Sequence, residues 1–194
     1  MSLLIAGQGS SYPGETVSGD AWTHFAINGG TRIVLIDGAG HGPLAQHAAE
    51  TAKTALEELA GHPAENALRV VHSRLHGTRG AVISTVDILE STMSFTGVGN
   101  IDGRLFLPGA PQHRFAPDRG LLGASLPRLH TWTFPIEGRD WRLILFSDGI
   151  MQRMSLEWTD LEDLSALDDL LKGLVERWGR NTDDATIVLA APRP

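Results

Sequence analysis

No cysteine occurs in the 194-residue sequence. Disulfides, thiolate metal sites and cysteine nucleophiles are therefore excluded, and a reducing compartment, by default the cytoplasm, is the expected location. Aromatic residues are sparse at 6%. The tryptophans, Trp22, Trp132, Trp141, Trp158 and Trp178, fall on different segments, as core or strand-face residues do, and form no stacking platform for nucleic acid. Basic residues are outnumbered, 16 Lys and Arg against 23 Asp and Glu, for a net charge of -7. Broad nucleic-acid binding is disfavoured, because phosphates would be repelled. No hydrophobic run reaches the length of a membrane span, and the opening MSLLIAGQGSSYPGE has neither the basic start nor the apolar length of a signal peptide. No membrane association is expected.

What the chain does have is enough apolar content, 42%, to bury the core of one globular domain spanning residues 1–194. The runs WTHFAING and TRIVLID flank Asn28-Gly29-Gly30 and read as antiparallel strands joined by a tight turn. A helix follows from Pro43 to about Leu59, stopped by Gly61-His62-Pro63, and a second spans roughly Ala64 to Leu75. Beyond Gly77 the period becomes two. GAVISTVDILE, TMSFTGVGN, DGRLFLPG, LHTWTFPIE and WRLILFSDG read as five strands of an antiparallel meander. A late amphipathic helix carries Leu164, Leu167, Leu170, Leu171, Leu174, Val175 and Trp178, and ATIVLAA closes as a strand. This order suits an α+β layered architecture of antiparallel sheets.

The stretch DGAGHGP raises two competing ligands for one glycine loop, a nucleotide phosphate or a metal ion. Pro43 stands where a dinucleotide fingerprint needs its third glycine, and Asp37 would face a pyrophosphate directly, a like-charge contact. A hard divalent cation fits better, but it needs several oxygen ligands. Asp20 in VSGD, Asp148 in LILFSDG, and Asp183 with Asp184 in NTDDAT supply them. Each sits where a strand meets a polar or glycine-rich loop. Any one of these aspartates alone reads as an ordinary turn or cap residue. Together they point to a metal, since Asp37 and Asp148 end apolar strands where an unpaired carboxylate is penalised. All-oxygen ligation favours Mg²⁺ or Mn²⁺.

The series SGD, DGAGHG, SDG and DDAT, in that order and over nearly the whole chain, resembles the SpoIIE branch of the metal-dependent PPM protein phosphatases. Within that branch the chain is most similar to the short stand-alone RsbX type of the stressosome pathway, on TRGAVISTVDI and TGVGN. The resemblance implies a four-layer αββα sandwich of two antiparallel sheets flanked by helices, with two Mn²⁺ or Mg²⁺ ions between the sheets at one end. It matches Asp37 to the carboxylate bridging the two ions and Gly38 to a backbone carbonyl ligand. Asp20 matches the first acidic motif, Asp148 and Asp183 the second ion's ligands, with Asp184 the alternative to Asp183.

The activity so implied is hydrolysis of phosphoserine and phosphothreonine by cation-activated water, with Asp37 and Asp148 central to catalysis. The implied substrates are phosphorylated STAS-domain proteins of a stressosome, with a phosphorylated anti-sigma-factor antagonist as the alternative target and a non-catalytic phosphoprotein-binding module as the alternative class. A monomer is expected. The chain departs from many family members by placing Ala39 where a histidine follows Asp-Gly; His41 comes later and is the candidate general acid, with hydrogen bonding inside the glycine loop as its other role. No early arginine matches the phosphate clamp of eukaryotic-type members, leaving Arg79 and Arg74 as candidates. His72 and His76, four apart on a helix, lack a third ligand for zinc and read as surface residues.

Overall fold

A computed structural model describes residues 2–193. Two five-stranded antiparallel sheets face each other. One has the order β1-β10-β9-β6-β7 and the other β2-β3-β4-β5-β8. The first is built from β1 (Leu3–Ser10), β6 (Asp102–Phe106), β7 (His113–Phe115), β9 (Arg142–Phe146) and β10 (Ala185–Pro192). The second contains β2 (Asp20–Ile27), β3 (Gly30–Gly38), β4 (Ala81–Leu89), β5 (Thr92–Val98) and β8 (Thr131–Pro135). Helices α1 (Pro43–Glu58) and α2 (Ala64–Arg74) cover the second sheet, and α3 (Leu167–Trp178) covers the first. This is the αββα sandwich. Among the described residues no helix is long and apolar enough to cross a membrane.

Alternation along β3 explains the layering. Ile33 and Leu35 enter the core between the sheets, whereas Val34 and Ile36 pack under α1 and α2, so the strand is apolar on both faces. Helix α1 reaches the sheet with a face of small residues, Ala45, Ala48, Ala49, Ala52 and Ala55, all fully buried. That face lets backbone meet backbone. A Cβ on Gly38 would lie 2.1 Å from the carbonyl oxygen of Ala45.

Both helices and the β2–β3 hairpin lie where the sequence places them. The meander does not. After β5 the chain crosses to the other sheet, where β6 pairs with β9, then returns to add β8 beside β5. Turn residues mark where a strand ends but not which sheet the next one joins. Two strands escaped the pattern. β1 pairs with β10 over its whole length, its glycines lowering strand propensity while serving packing: a Cβ on Gly7 would fall 2.5 Å from the Trp22 ring. β7 has only three residues, too few for any periodicity.

Arg104 on β6 is fully buried, donating to the carbonyls of Met154 and Gln152 at 2.6 and 2.8 Å. It fixes the segment that follows Asp148. Gly149 is as tightly constrained, since a Cβ there would sit 1.9 Å from the Asp184 carbonyl oxygen. Neither backbone can yield without parting β9 from β10. Gly149→Ala is expected to lower stability by about 3 kcal/mol, or about 10 °C in the melting midpoint. A thermal melt followed by circular dichroism checks this; an unchanged midpoint would mean the β9–β10 junction is slack.

Candidate metal centre

The sequence-expected carboxylates converge at one end of the sandwich, from strands of both sheets. β2 and β3 pair so that Asp20 and Asp37 stand directly opposite each other. From the facing sheet, β9 runs into Ser147 and Asp148, and Asp183 and Asp184 precede β10. Ser147 joins the two halves: its hydroxyl donates to Asp20 Oδ2 at 2.6 Å and accepts the amide of Thr186 at 3.0 Å. Asp148 Oδ2 accepts from Asn100 Nδ2 at 2.7 Å.

Asp37, Asp148 and Asp183 line a pocket of about 220 Å³ together with Gly40, Asn100 and Leu121. A larger cavity of about 640 Å³ lies between β1 and the start of α3, but the carboxylates do not reach it. Chemistry rather than volume picks out the smaller one. Asp184 behaves differently from Asp183. It is buried, with Oδ1 accepting the amide of Tyr12 at 2.8 Å and Oδ2 that of Gly19 at 2.9 Å. Those bonds tie the β1–β2 loop to β10, while Asp183 keeps the pocket-facing place.

Electrostatics shows the strain of this assembly. Burial, followed by repulsion from Asp20, Asp148, Asp183 and Asp184, pushes the Asp37 carboxyl up to about 9. Burial likewise lifts Asp20 to about 7, with hydrogen bonds from Ser147 and Thr186 opposing and Asp184 and Asp148 adding. Asp183 is raised by burial first and by Asp148 next. Neighbouring carboxylates that suppress one another's ionisation are relieved either by protons or by cations. Among the described residues no three acidic or imidazole side chains close into a ready-made coordination shell. The donor set nevertheless fits a hard divalent ion, being all oxygen, clustered and rigidly held.

His41 is turned to the β1–β2 loop. Its Nδ1 lies 2.9 Å from Glu15 Oε1, and its ring stacks on Tyr12 at 4.0 Å between centroids. Among the described residues Nε2 has no hydrogen-bond partner. Arg74 pairs with Glu58 on the helix surface. His72 is half-buried, accepting the amide of Gly123 at 3.0 Å, and meets His76 edge to face, so the surface reading holds for His76 alone. Sequence reasoning missed Ser147, Asn100, Tyr12 and Glu15. The signal for Ser147 was present, a polar residue closing the apolar run LILF just before Asp148; Asn100 lay in TGVGN, noticed only as a likeness.

The fold and the sequence agree on one family. The model of the stage II sporulation protein E (SpoIIE) family matches residues 27–193. No curated protein sequence matches. A chain solved in work on the bacterial stressosome, described as a modular system adapted to control secondary messenger signalling, superposes with a TM-score of 0.89 and 26% identity, over 98% of this chain and 100% of that one. RsbX in complex with magnesium gives 0.83 and 20%, over 97% and 94%. The S. agalactiae serine/threonine phosphatase gives 0.82 and 17%, over 99% and 100%. With the family model covering most of the chain and the acidic motifs gathered at one end of an αββα sandwich, this protein belongs to the SpoIIE family of PPM-type phosphatases.

Proposed function

We propose that the protein hydrolyses phosphoserine and phosphothreonine in a protein substrate, using Mg²⁺ or Mn²⁺ held by Asp20, Asp37, Asp148, Asp183 and the Gly38 carbonyl. The observation that carries this reading is the convergence of mutually repelling carboxylates from four strand ends on one small pocket. Divalent cations held there would lower the pKa of water and screen the charge of the incoming phosphate. The residues of the chain do the rest. Asp37 lies opposite Asp20 in register, and the two carboxylates would hold the metal together from the β2–β3 side. Asn100 holds the Asp148 carboxylate in one orientation, and Ser147 does the same for Asp20. Asp184 takes the positioning role, fixing the β1–β2 loop.

His41, with Glu15 on its Nδ1, offers Nε2 as proton donor to the departing serine oxygen. His41→Ala is expected to lower kcat on a phosphoserine peptide by about 10²-fold while sparing an aryl phosphate, whose leaving group needs no proton. Equal loss on both substrates would assign His41 to holding the loop instead.

The substrate we infer is a phosphorylated STAS-domain protein, with the likeness to RsbX and to the stressosome chain as support. Its removal of phosphate would reset a stress signal. The test is phosphate release from a phosphorylated STAS protein compared with an unrelated phosphoprotein under the same Mn²⁺ concentration. A kcat/KM preference of at least about tenfold for the STAS protein is expected; equal rates would leave the phosphatase but remove this partner.

A further inference from the structure

We propose that Arg79 binds the phosphoryl group of the substrate, an inference that rests on the phosphatase reading above. The turn that carries it, between α2 and β4, is fixed on both sides. Thr78 Oγ1 donates to the Leu75 carbonyl at 2.7 Å and accepts the amide of Gly80 at 3.0 Å. The carbonyl of Gly80 accepts the amide of Ala39 at 3.0 Å, which joins this turn directly to the loop that follows Asp37. From that base the guanidinium reaches across Gly40. A Cβ on Gly40 would lie 2.5 Å from Arg79 Nη1, so the absence of a side chain at Gly40 is what gives the guanidinium its place. Gly40 lines the same pocket as Asp37, Asp148 and Asp183.

Four other arginines are committed elsewhere. Arg32, Arg74, Arg104 and Arg142 each pair with a carboxylate. Arg79 is exposed, and among the described residues it has neither an ion-pair nor a hydrogen-bond partner. Charge matching gives this free cation a task. Two divalent ions would only balance the carboxylates of Asp20, Asp37, Asp148 and Asp183, so a phosphate dianion entering the pocket would need a further positive group. A guanidinium answers with a planar fork of N–H donors that fits two phosphoryl oxygens at once.

The test uses the whole protein with Mn²⁺. Inorganic phosphate is the probe, read by its thermal stabilisation of the Mn²⁺-loaded protein and by its competitive inhibition constant. Phosphoserine peptides with and without flanking acidic residues give kcat and KM. For Arg79→Ala the phosphate constant and the KM for both peptides are expected to rise about tenfold, with Arg79→Lys partly restoring them and the Mn²⁺ midpoint unchanged. If only the acidic-flanked peptide weakens and inorganic phosphate binds as before, Arg79 reads a neighbouring side chain and the phosphoryl assignment is overturned. Unchanged phosphate binding with both peptides unaffected overturns it outright. Should the wild type bind phosphate yet release none from any substrate, the phosphatase reading fails while the loss of phosphate binding in Arg79→Ala still upholds the site.

Discussion

Asp37→Asn is expected to abolish phosphate release and, at the same time, to raise the melting temperature of the metal-free protein. Both effects come from one carboxylate. The loss of turnover, about 10³-fold or more, follows if Asp37 is shared between two ions, because asparagine brings an oxygen but no charge to hold them. The gain in stability follows from the pocket itself. Burial and four neighbouring carboxylates hold the Asp37 carboxyl up at about 9 in the folded chain, against about 3.9 when unfolded. The folded form binds that proton more tightly, so this group's contribution is fully present below about pH 4 and lost as pH rises through about 9. Asparagine is neutral throughout and escapes the loss. Its advantage should grow from pH 4 towards 9, with a rise of several degrees at pH 8 when EDTA is present. A destabilised Asp37→Asn protein across that range would show that the carboxylate is already satisfied without metal.

The second large effect is the cancellation by metal of this pH dependence. Without divalent ions, the raised values of Asp37 and Asp20 make stability fall as pH rises from about 4 to about 9, the Asp20 part being lost through about 7 and the Asp37 part through about 9. Cations compete with those protons. Between about pH 7 and 9 binding should displace roughly one proton, from Asp37, and below about 7 roughly two, from Asp37 and Asp20. The logarithm of Mn²⁺ affinity should therefore climb about one unit per pH unit above neutrality and more steeply below it. Titration calorimetry at several pH values, in buffers of different protonation enthalpy, reads both slope and proton count. Affinity independent of pH would contradict the raised values and the ligand set together.

Much of this site was legible because its ligands sit on short, separately recognisable phrases. Asp37 and Asp148 each end a run of apolar strand residues, and a carboxylate in that position calls for a counter-charge. That two sheets would bring these ends together could be anticipated only from the likeness of four motifs in series. The supporting residues were harder to read. Glu15 and Tyr12 lie in a loop with no periodic pattern, and their partners are His41 and Asp184, far along the chain. The division of labour between Asp183 and Asp184 was equally hidden, since adjacent residues at a strand entrance face opposite ways and only the packing shows which way the pocket lies. The crossing of the chain between sheets after β5 has a similar cause. Gly99 and Asn100 signal a turn, but strand pairing is decided by contacts distant in sequence.

The most direct measurement is Mn²⁺-dependent release of phosphate from a phosphoserine peptide by the wild type, beside Asp37→Asn and Asp148→Asn, with Mn²⁺ binding followed on the same samples. Metal-dependent turnover in the wild type, lost in both variants while all three remain folded, is the expected result. A folded wild type that neither binds Mn²⁺ nor releases phosphate from the peptide or from a phosphorylated STAS protein would contradict it and leave a binding module with this fold.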